Sequence, residues 1–457
     1  MKETSNYQAY GLTTVITMIV GIVVGSGIFF KADDILIATG GSFKLGLVIL
    51  VLGAMGIIFG SLSLSQLALD NQDSGGAMSY FEDTWNSSIA SGFGLFQLVM
   101  YLPSVPAVVA WAGALYTFMI LGIPSSLEME VGLGLVYLTV FCLLNALRRI
   151  WGGYLQNLST FVKLVPLFLI ALAGIFLGKG SLPLPAGVTP VEPSKQGVSF
   201  LAALAPMAFS YDGWIISTTI VPEVKNPKKN VPLALILSPL LILFIYILYF
   251  TGVVHYAGES FILTMGDATI NSISMDLLGP IGGKVLMIFV LISVLGVLNG
   301  ICLGGIRMPQ ALAQRGILPK RMEKLHPRYQ INLRSSLAFY LLTLFWMGLH
   351  YLILKFNLLG GRDASEIAIV FSYASYILLY IRLIQGYLKG QYKSFFRNFF
   401  APIMATLAAF LMIWGALMSS PFYVLAFLLL NTLVFILGTK LYKEDSNERV
   451  TSQKDYQ

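Results

Sequence analysis

Long apolar runs alternate with short polar breaks along almost the whole chain. A run of about 20 apolar residues is what a helix needs to cross a hydrocarbon core with every backbone group paired internally. Such runs occur at about 12 places, roughly 11–38, 45–68, 89–121, 131–147, 155–177, 199–221, 232–256, 283–312, 335–355, 364–386, 399–419 and 421–441. The pattern predicts an all-α polytopic membrane protein with one transmembrane domain over residues 1–441. The hydrophilic stretch 442–457 has mixed charge and no apolar period, and is expected to be a disordered tail.

Two of the runs are interrupted. The first carries Gly21, Gly25 and Gly27 within seven residues that also include Ser26. Each glycine lowers helix stability by about 1 kcal/mol relative to alanine, so the helix is expected to break around Val24 to Gly27. The sixth run carries Pro206, Ser210, Asp212 and Gly213, an interruption of the same kind five runs later. Broken helices at matching positions in two halves point to an inverted-repeat transporter with its site at mid-membrane. The division that follows is 11–177 for one repeat, 199–386 for the other, and two added helices over 399–441. The pairs Gly56/Gly60 and Gly300/Gly304 read instead as small-residue contacts between neighbouring helices.

Composition narrows the class. The chain is 56% hydrophobic and 11% charged, against roughly 45–50% and about 25% in soluble domains, which excludes a soluble globule. A net charge of +7 would suit nucleic acid if it formed a stripe, but the basic residues sit between apolar runs, so no nucleic-acid partner is expected. Arg148, Arg149, Lys225, Lys228, Lys229 and the cluster from Arg307 to Arg334 fall on the side of both termini. Cytoplasmic loops carry the excess of Lys and Arg, so both termini are expected in the cytoplasm and the protein in the inner (plasma) membrane. The first run follows a single Lys2 with no small-residue cleavage site and reads as a retained helix. Cys142 and Cys302 lie inside apolar stretches and read as packing, and His255, His326 and His350 are scattered singly. No metal and no cofactor is expected.

Three motifs carry a resemblance. Gly25-Ser26-Gly27-Ile28-Phe29 resembles the unwound first helix of the amino acid–polyamine–organocation superfamily. Phe209-Ser210-Tyr211-Asp212-Gly213-Trp214, followed by Pro222 to Pro227 and by Val231-Pro232, resembles the sixth helix and following loop of its L-type amino acid transporter branch, in a bacterial member. Arg307 through Gly316 resembles the loop after helix eight, and Gly75-Gly76-Ala77 the short loop between helices two and three. The resemblance runs from about Gly11 to Gly438, though the last four spans match in hydropathy only. It implies a LeuT-like five-plus-five inverted repeat with helices 1 and 6 broken, plus two extra helices.

An amino acid brings a carboxylate and an ammonium, and a broken helix offers free backbone groups to each. The N-terminal end of the outer half of span one exposes N–H groups suited to the carboxylate, and the resemblance assigns these to Ser26, Gly27 and Ile28, beside Gly25. It assigns the ammonium to carbonyls of Val23, Phe209 and Ser210, taken as the ends of the two inner half-helices. Gly27 and Gly213 would admit close approach of the ligand. Phe209 and Trp214 are candidates for an occluding gate, or else packing.

Asp212 is costly at mid-membrane and is expected to be solvated, paired or functional. It reads as a cap on the outer half of span six, with recognition of a cationic side chain as the other reading. Lys163 lies about 12 Å into span five, too deep for easy snorkelling. In the branch it resembles, such a lysine takes the place that sodium holds in sodium-coupled relatives, bridging spans one and eight. Glu223, with Arg307 or Arg315 opposite, is a candidate inner-gate ion pair, and Asn299 reads as an interhelical hydrogen bond.

The expectation is a sodium-independent L-amino acid transporter, an obligatory exchanger of small neutral amino acids working by alternating access. Its rivals are a proton-coupled importer, with Lys163 or Asp212 titrating, and a carrier of cationic amino acids. The clustered nucleophiles or paired carboxylates of an intramembrane enzyme and the filter repeat of a channel are absent from the sequence. A heavy-chain partner held through an outer cysteine is not expected, because Cys142 sits toward the inner end of span four.

Overall fold

A computed structural model describes residues 9–29, 32–71, 73, 75–147, 149–192, 207, 210–266, 268–326, 332–358, 365–419 and 421–442. Phe209, Pro206, Arg148 and the tail beyond Tyr442 lie outside the described residues. Ten helices are long and apolar enough to cross a membrane among those described. The two remaining expected spans are the interrupted ones.

The boundaries follow local chemistry. Span two is Phe43–Asp70, opened by Ser42, whose Oγ accepts from Leu45 N at 3.4 Å. Span four, Leu127–Leu147, starts a turn earlier than its hydropathy suggested because Ser126 caps it, accepting from Met129 N at 3.4 Å. Span five starts at Arg149 and runs to Leu177. Span seven, Pro227–Ala257, has Pro227 in its first turn, where a missing N–H costs nothing. The eighth run divides into Gly282–Gly305 and Met308–Gln314 around a turn at Ile306 and Arg307. Spans nine, ten and twelve are Leu333–Lys355, Ser365–Leu388 and Pro421–Leu441, and span eleven is Phe396–Phe400 continued by Ala401–Ser419.

Span three, Ser87–Leu121, is loosened at Gln97–Tyr101 by a π turn. Pro103 follows, with no N–H to return to Val99 O, and Trp346 of span nine donates its Nε1 to that carbonyl at 2.7 Å.

Small residues set the approach of the spans. A Cβ on Gly174 of span five would collide with the backbone of Gly252 in span seven, and one on Gly46 would strike the Phe250 ring. Gly60 faces Tyr380 and Trp214, while Gly304 faces Ile216 and Thr219. Without a hydrophobic force between helices in lipid, such close backbone contacts are a main source of adhesion. Cys142 and Cys302 are buried and free, their sulfurs 3.6 Å apart between spans four and eight.

Candidate functional site

The first run folds as Leu12–Val23, a break, a short helix Ser26–Phe29 and then Ala32–Ala38. Val24 leaves helical geometry with ψ 87°, and Gly25 N turns back to Val23 O at 2.9 Å. The carbonyls of Gly21 and Val24 are thereby available to another donor. Lys163 of span five supplies it: Nζ lies 2.7 Å from Gly21 O, 2.8 Å from Val24 O and 3.2 Å from Ser293 O of span eight. Lys163 is completely buried. Three ammonium protons meet three carbonyls, and the charge sits at the negative, C-terminal end of the helix Leu12–Val23. Ser293 Oγ also approaches Val24 O, at 3.5 Å. Ser26, Gly27 and Ile28 form the first turn of the helix after the break, with Ile28 buried, and the Ser26 side chain lies outside what the structure describes. Gly25 packs toward Val297, which an added Cβ would meet at 3.2 Å.

The second break lies beside the first. Ser210 ends a helical stretch, Gly213 adopts φ 93°, and a 3-10 helix runs over Trp214–Glu223. Gly213 is required twice over: its φ lies in the left-handed region, and a Cβ there would strike the Ile22 side chain of span one. Span one, not open space for a ligand, is what approaches it. Tyr246 of span seven ties the two breaks together, its hydroxyl lying 2.8 Å from Ser210 O and 3.1 Å from Val23 O. Two of the carbonyls expected to hold an ammonium therefore converge on one point, while the third, Phe209, lies outside the described residues. Tyr249, nearly a turn on, donates to Phe29 O at 3.3 Å.

Asp212 requires a correction. The helix that follows it ends at Glu223, whose carbonyl accepts from Tyr10 N at 3.0 Å, so it is the half of span six on the N-terminal face and not the opposite one. For the same reason the carbonyl end at Ser210 belongs to the far half. Asp212 does not cap that helix: the capping position is Gly213, with no side-chain bond. Its Oδ2 accepts from the Tyr101 hydroxyl at 2.6 Å, where the π turn of span three presents that ring, and its Oδ1 has no hydrogen-bond partner among the described residues. Trp214 is completely buried and packs edge-on to Tyr376 of span ten, ring centres 6.0 Å apart. It fills the space between spans two, six and ten.

On the N-terminal face, Glu223 takes Arg307 in a two-pronged pair, Nε to Oε1 at 2.6 Å and Nη2 to Oε2 at 3.0 Å. Both side chains are about one-eighth exposed, at 15% and 12%. Tyr10 reinforces this closure, its carbonyl accepting from Lys225 N at 2.8 Å. Arg315 goes elsewhere, to Glu82 at 2.6 Å and Ser79 Oγ at 2.9 Å. Asn299 bonds Asn145, Gly152 and Gln156.

Sequence reasoning missed Tyr101, Tyr246, Tyr249 and Ser293. The available signal was position: tyrosines enrich at membrane interfaces, and these lie well inside their spans.

Two half-broken helices facing each other across a polytopic bundle, with a buried ammonium on the freed carbonyls, define a helical membrane protein of the permease kind. The chain belongs to the amino acid permease family, whose sequence profile matches residues 10–441. It is similar to a serine/threonine exchanger of Bacillus subtilis, 28% identical over 81% of both chains. It is also similar to the human cystine/glutamate transporter, 27% identical over 72% of this chain and 66% of that one, and to the human large neutral amino acids transporter small subunit 2, 30% identical over 69% of this chain and 59% of the relative.

Proposed function

We propose that this chain is a sodium-independent amino acid exchanger of the L-type branch, built as two inverted five-helix repeats with two added helices and working by alternating access. The single observation that carries the reading is the Lys163 ammonium on Gly21 O, Val24 O and Ser293 O. A fixed cation there joins the break of span one to span eight and leaves no need for a metal ion at that point. The substrate carboxylate would meet the N–H groups of Ser26, Gly27 and Ile28, and the ammonium the carbonyls of Val23, Ser210 and Phe209, next to the Tyr246 hydroxyl. The Glu223–Arg307 pair closes the inner side, with both termini cytoplasmic in the plasma membrane. Exchange, in place of uptake alone, is supported by the likeness to the serine/threonine exchanger. Cys142 is buried against Cys302, which supports a carrier working without a disulfide-linked subunit.

Small neutral amino acids are the proposed substrates. Asp212 Oδ1, without a hydrogen-bond partner among the described residues, favours a second reading, in which Asp212 meets a cationic side chain or carries a proton. Uptake of a radiolabelled amino acid panel into proteoliposomes, without sodium and with or without internal amino acid, separates the two. Signal only with internal amino acid, for small neutral substrates, and unchanged in selectivity by Asp212→Asn, supports the first. Uptake into empty vesicles under an inward proton gradient, or preference for lysine and arginine, overturns it.

A further inference from the structure

Below Lys163, on the same face of span five, lie Thr160 and Gln156, three and seven residues back. Gln156 is completely buried and Thr160 nearly so. Gln156 Nε2 donates to Thr17 O of span one at 3.4 Å, and Thr160 Oγ1 lies 3.0 Å from the same carbonyl. Asn157 adds contacts to the Thr17 and Thr14 hydroxyls, at 2.5 and 3.3 Å. On its other side Gln156 Oε1 accepts from Asn299 Nδ2 of span eight at 3.0 Å, and Asn299 Oδ1 accepts from Asn145 Nδ2 of span four at 3.0 Å. Three completely buried amides thus run in series from span four through eight and five to the inner half of span one.

Glycines make the room. A Cβ on Gly21 would collide with Gln156 Nε2 and Thr160 Oγ1, one on Gly152 with Asn145 Oδ1, and one on Gly300 would meet Ile22 and come 3.1 Å from Gln156 Oε1. Apolar side chains would pack such a seam without the cost of burying amides. What an amide chain adds is a bond that holds in one arrangement and is lost in another. Its members within spans four, five and eight are bonded at 3.0 Å, whereas the junction to span one is the longest at 3.4 Å and ends on a backbone carbonyl. Span five meets the inner half of span one at Thr17 through three side chains, Gln156 Nε2 at 3.4 Å and Thr160 Oγ1 at 3.0 Å on its carbonyl, and Asn157 Oδ1 at 2.5 Å on its hydroxyl.

We propose that Gln156, seconded by Thr160, is a positioning residue that latches the inner half of span one shut, and that the chain from Asn145 through Asn299 to Gln156 stays intact when the latch opens. The inference rests on the alternating-access reading. Losing the latch shifts the population toward the inward-open form, so substrate binding from outside weakens in proportion to the lost outward-facing fraction. A bond of average strength between membrane helices corresponds to about threefold.

The test uses Ile22→Cys as reporter, since Ile22 lies between spans one, six and eight, in a chain carrying Cys142→Ala and Cys302→Ala. In inside-out vesicles, an impermeant maleimide should label that cysteine faster in Gln156→Leu than with Gln156 present, and the external KM should rise, the two factors multiplying to about threefold. Thr160→Val, which keeps volume, should shift both less and serves if Gln156→Leu does not fold. Unchanged labelling and KM in a folded variant would overturn the latch, even while the chain with Gln156 present exchanges amino acids. Failure of that chain to exchange, with labelling still accelerated, would instead sink the exchanger reading and leave the latch standing.

Discussion

Lys163 was legible in the sequence because a charge about 12 Å inside an apolar run is costly, but its partners were not, because all three are backbone carbonyls that any residue carries. Lys163→Met keeps the length and removes the donors, stranding Gly21 O, Val24 O and Ser293 O at about 1–3 kcal/mol for each unsatisfied buried group. We expect exchange in proteoliposomes to fall more than about tenfold, with no recovery on adding sodium and a lowered thermal transition of the purified protein. Tyr246→Phe removes one hydroxyl with no change in packing volume. Because that hydroxyl sits where Ser210 O and Val23 O converge, we expect the KM to change by about threefold to tenfold with little change in maximal rate. Equal losses in both would move Tyr246 from binding to the conformational step. Asp212 illustrates the opposite error. The dipeptide Asp-Gly before a helix reads as a cap from sequence alone, yet the π turn in span three brings Tyr101 to the carboxylate, and that turn has no sequence signature beyond the prolines that follow it.

At the scale of elements, the glycine cluster of the first run and the Pro206, Ser210, Asp212 and Gly213 of the sixth marked both interrupted helices, since low helix propensity is a local property. The direction of the second half-helix was misjudged, because direction depends on counting crossings and local propensity says nothing about it. The same limit applied to the ion pair on the N-terminal face: Arg307 and Arg315 are eight residues apart, and only the turn at Ile306 and Arg307 decides which one faces Glu223. With both partners largely out of water, removing one is more costly than the pair is worth. Glu223→Gln and Arg307→Met should each reduce exchange and speed maleimide labelling from the inner face. The exchanged pair, Glu223→Arg with Arg307→Glu, should recover part of both, and no recovery would mean that the Tyr10 contacts close this face unaided.

At the scale of the whole molecule, apolar run length, counted against the thickness of a bilayer, placed ten helices to within a few residues. How the spans pack was not visible in this way, because small residues are scattered through all of them and only some meet a partner. Gly174 meets Gly252 backbone to backbone, with no flexible side chain to yield. Gly174→Ala should therefore cost about 1–3 kcal/mol of overpacking, seen as a lower unfolding temperature in detergent. Gly122→Ala is the control for the loss of a glycine without a clash, since nothing lies near its Cβ, though its φ of 66° adds local strain.

The sequence by itself determined that this chain crosses a membrane many times, that two of its helices are broken, and that one lysine lies deep inside an apolar run. Each of these depends on composition, run length or the propensity of a few adjacent residues. Tertiary structure alone decided which carbonyls the lysine holds, that a tyrosine from span seven joins the two breaks, that Asp212 faces Tyr101, and that three amides from different spans connect into one seam. Those partners are 36 to 223 residues apart in the chain, and nothing local to either member of a pair encodes the other.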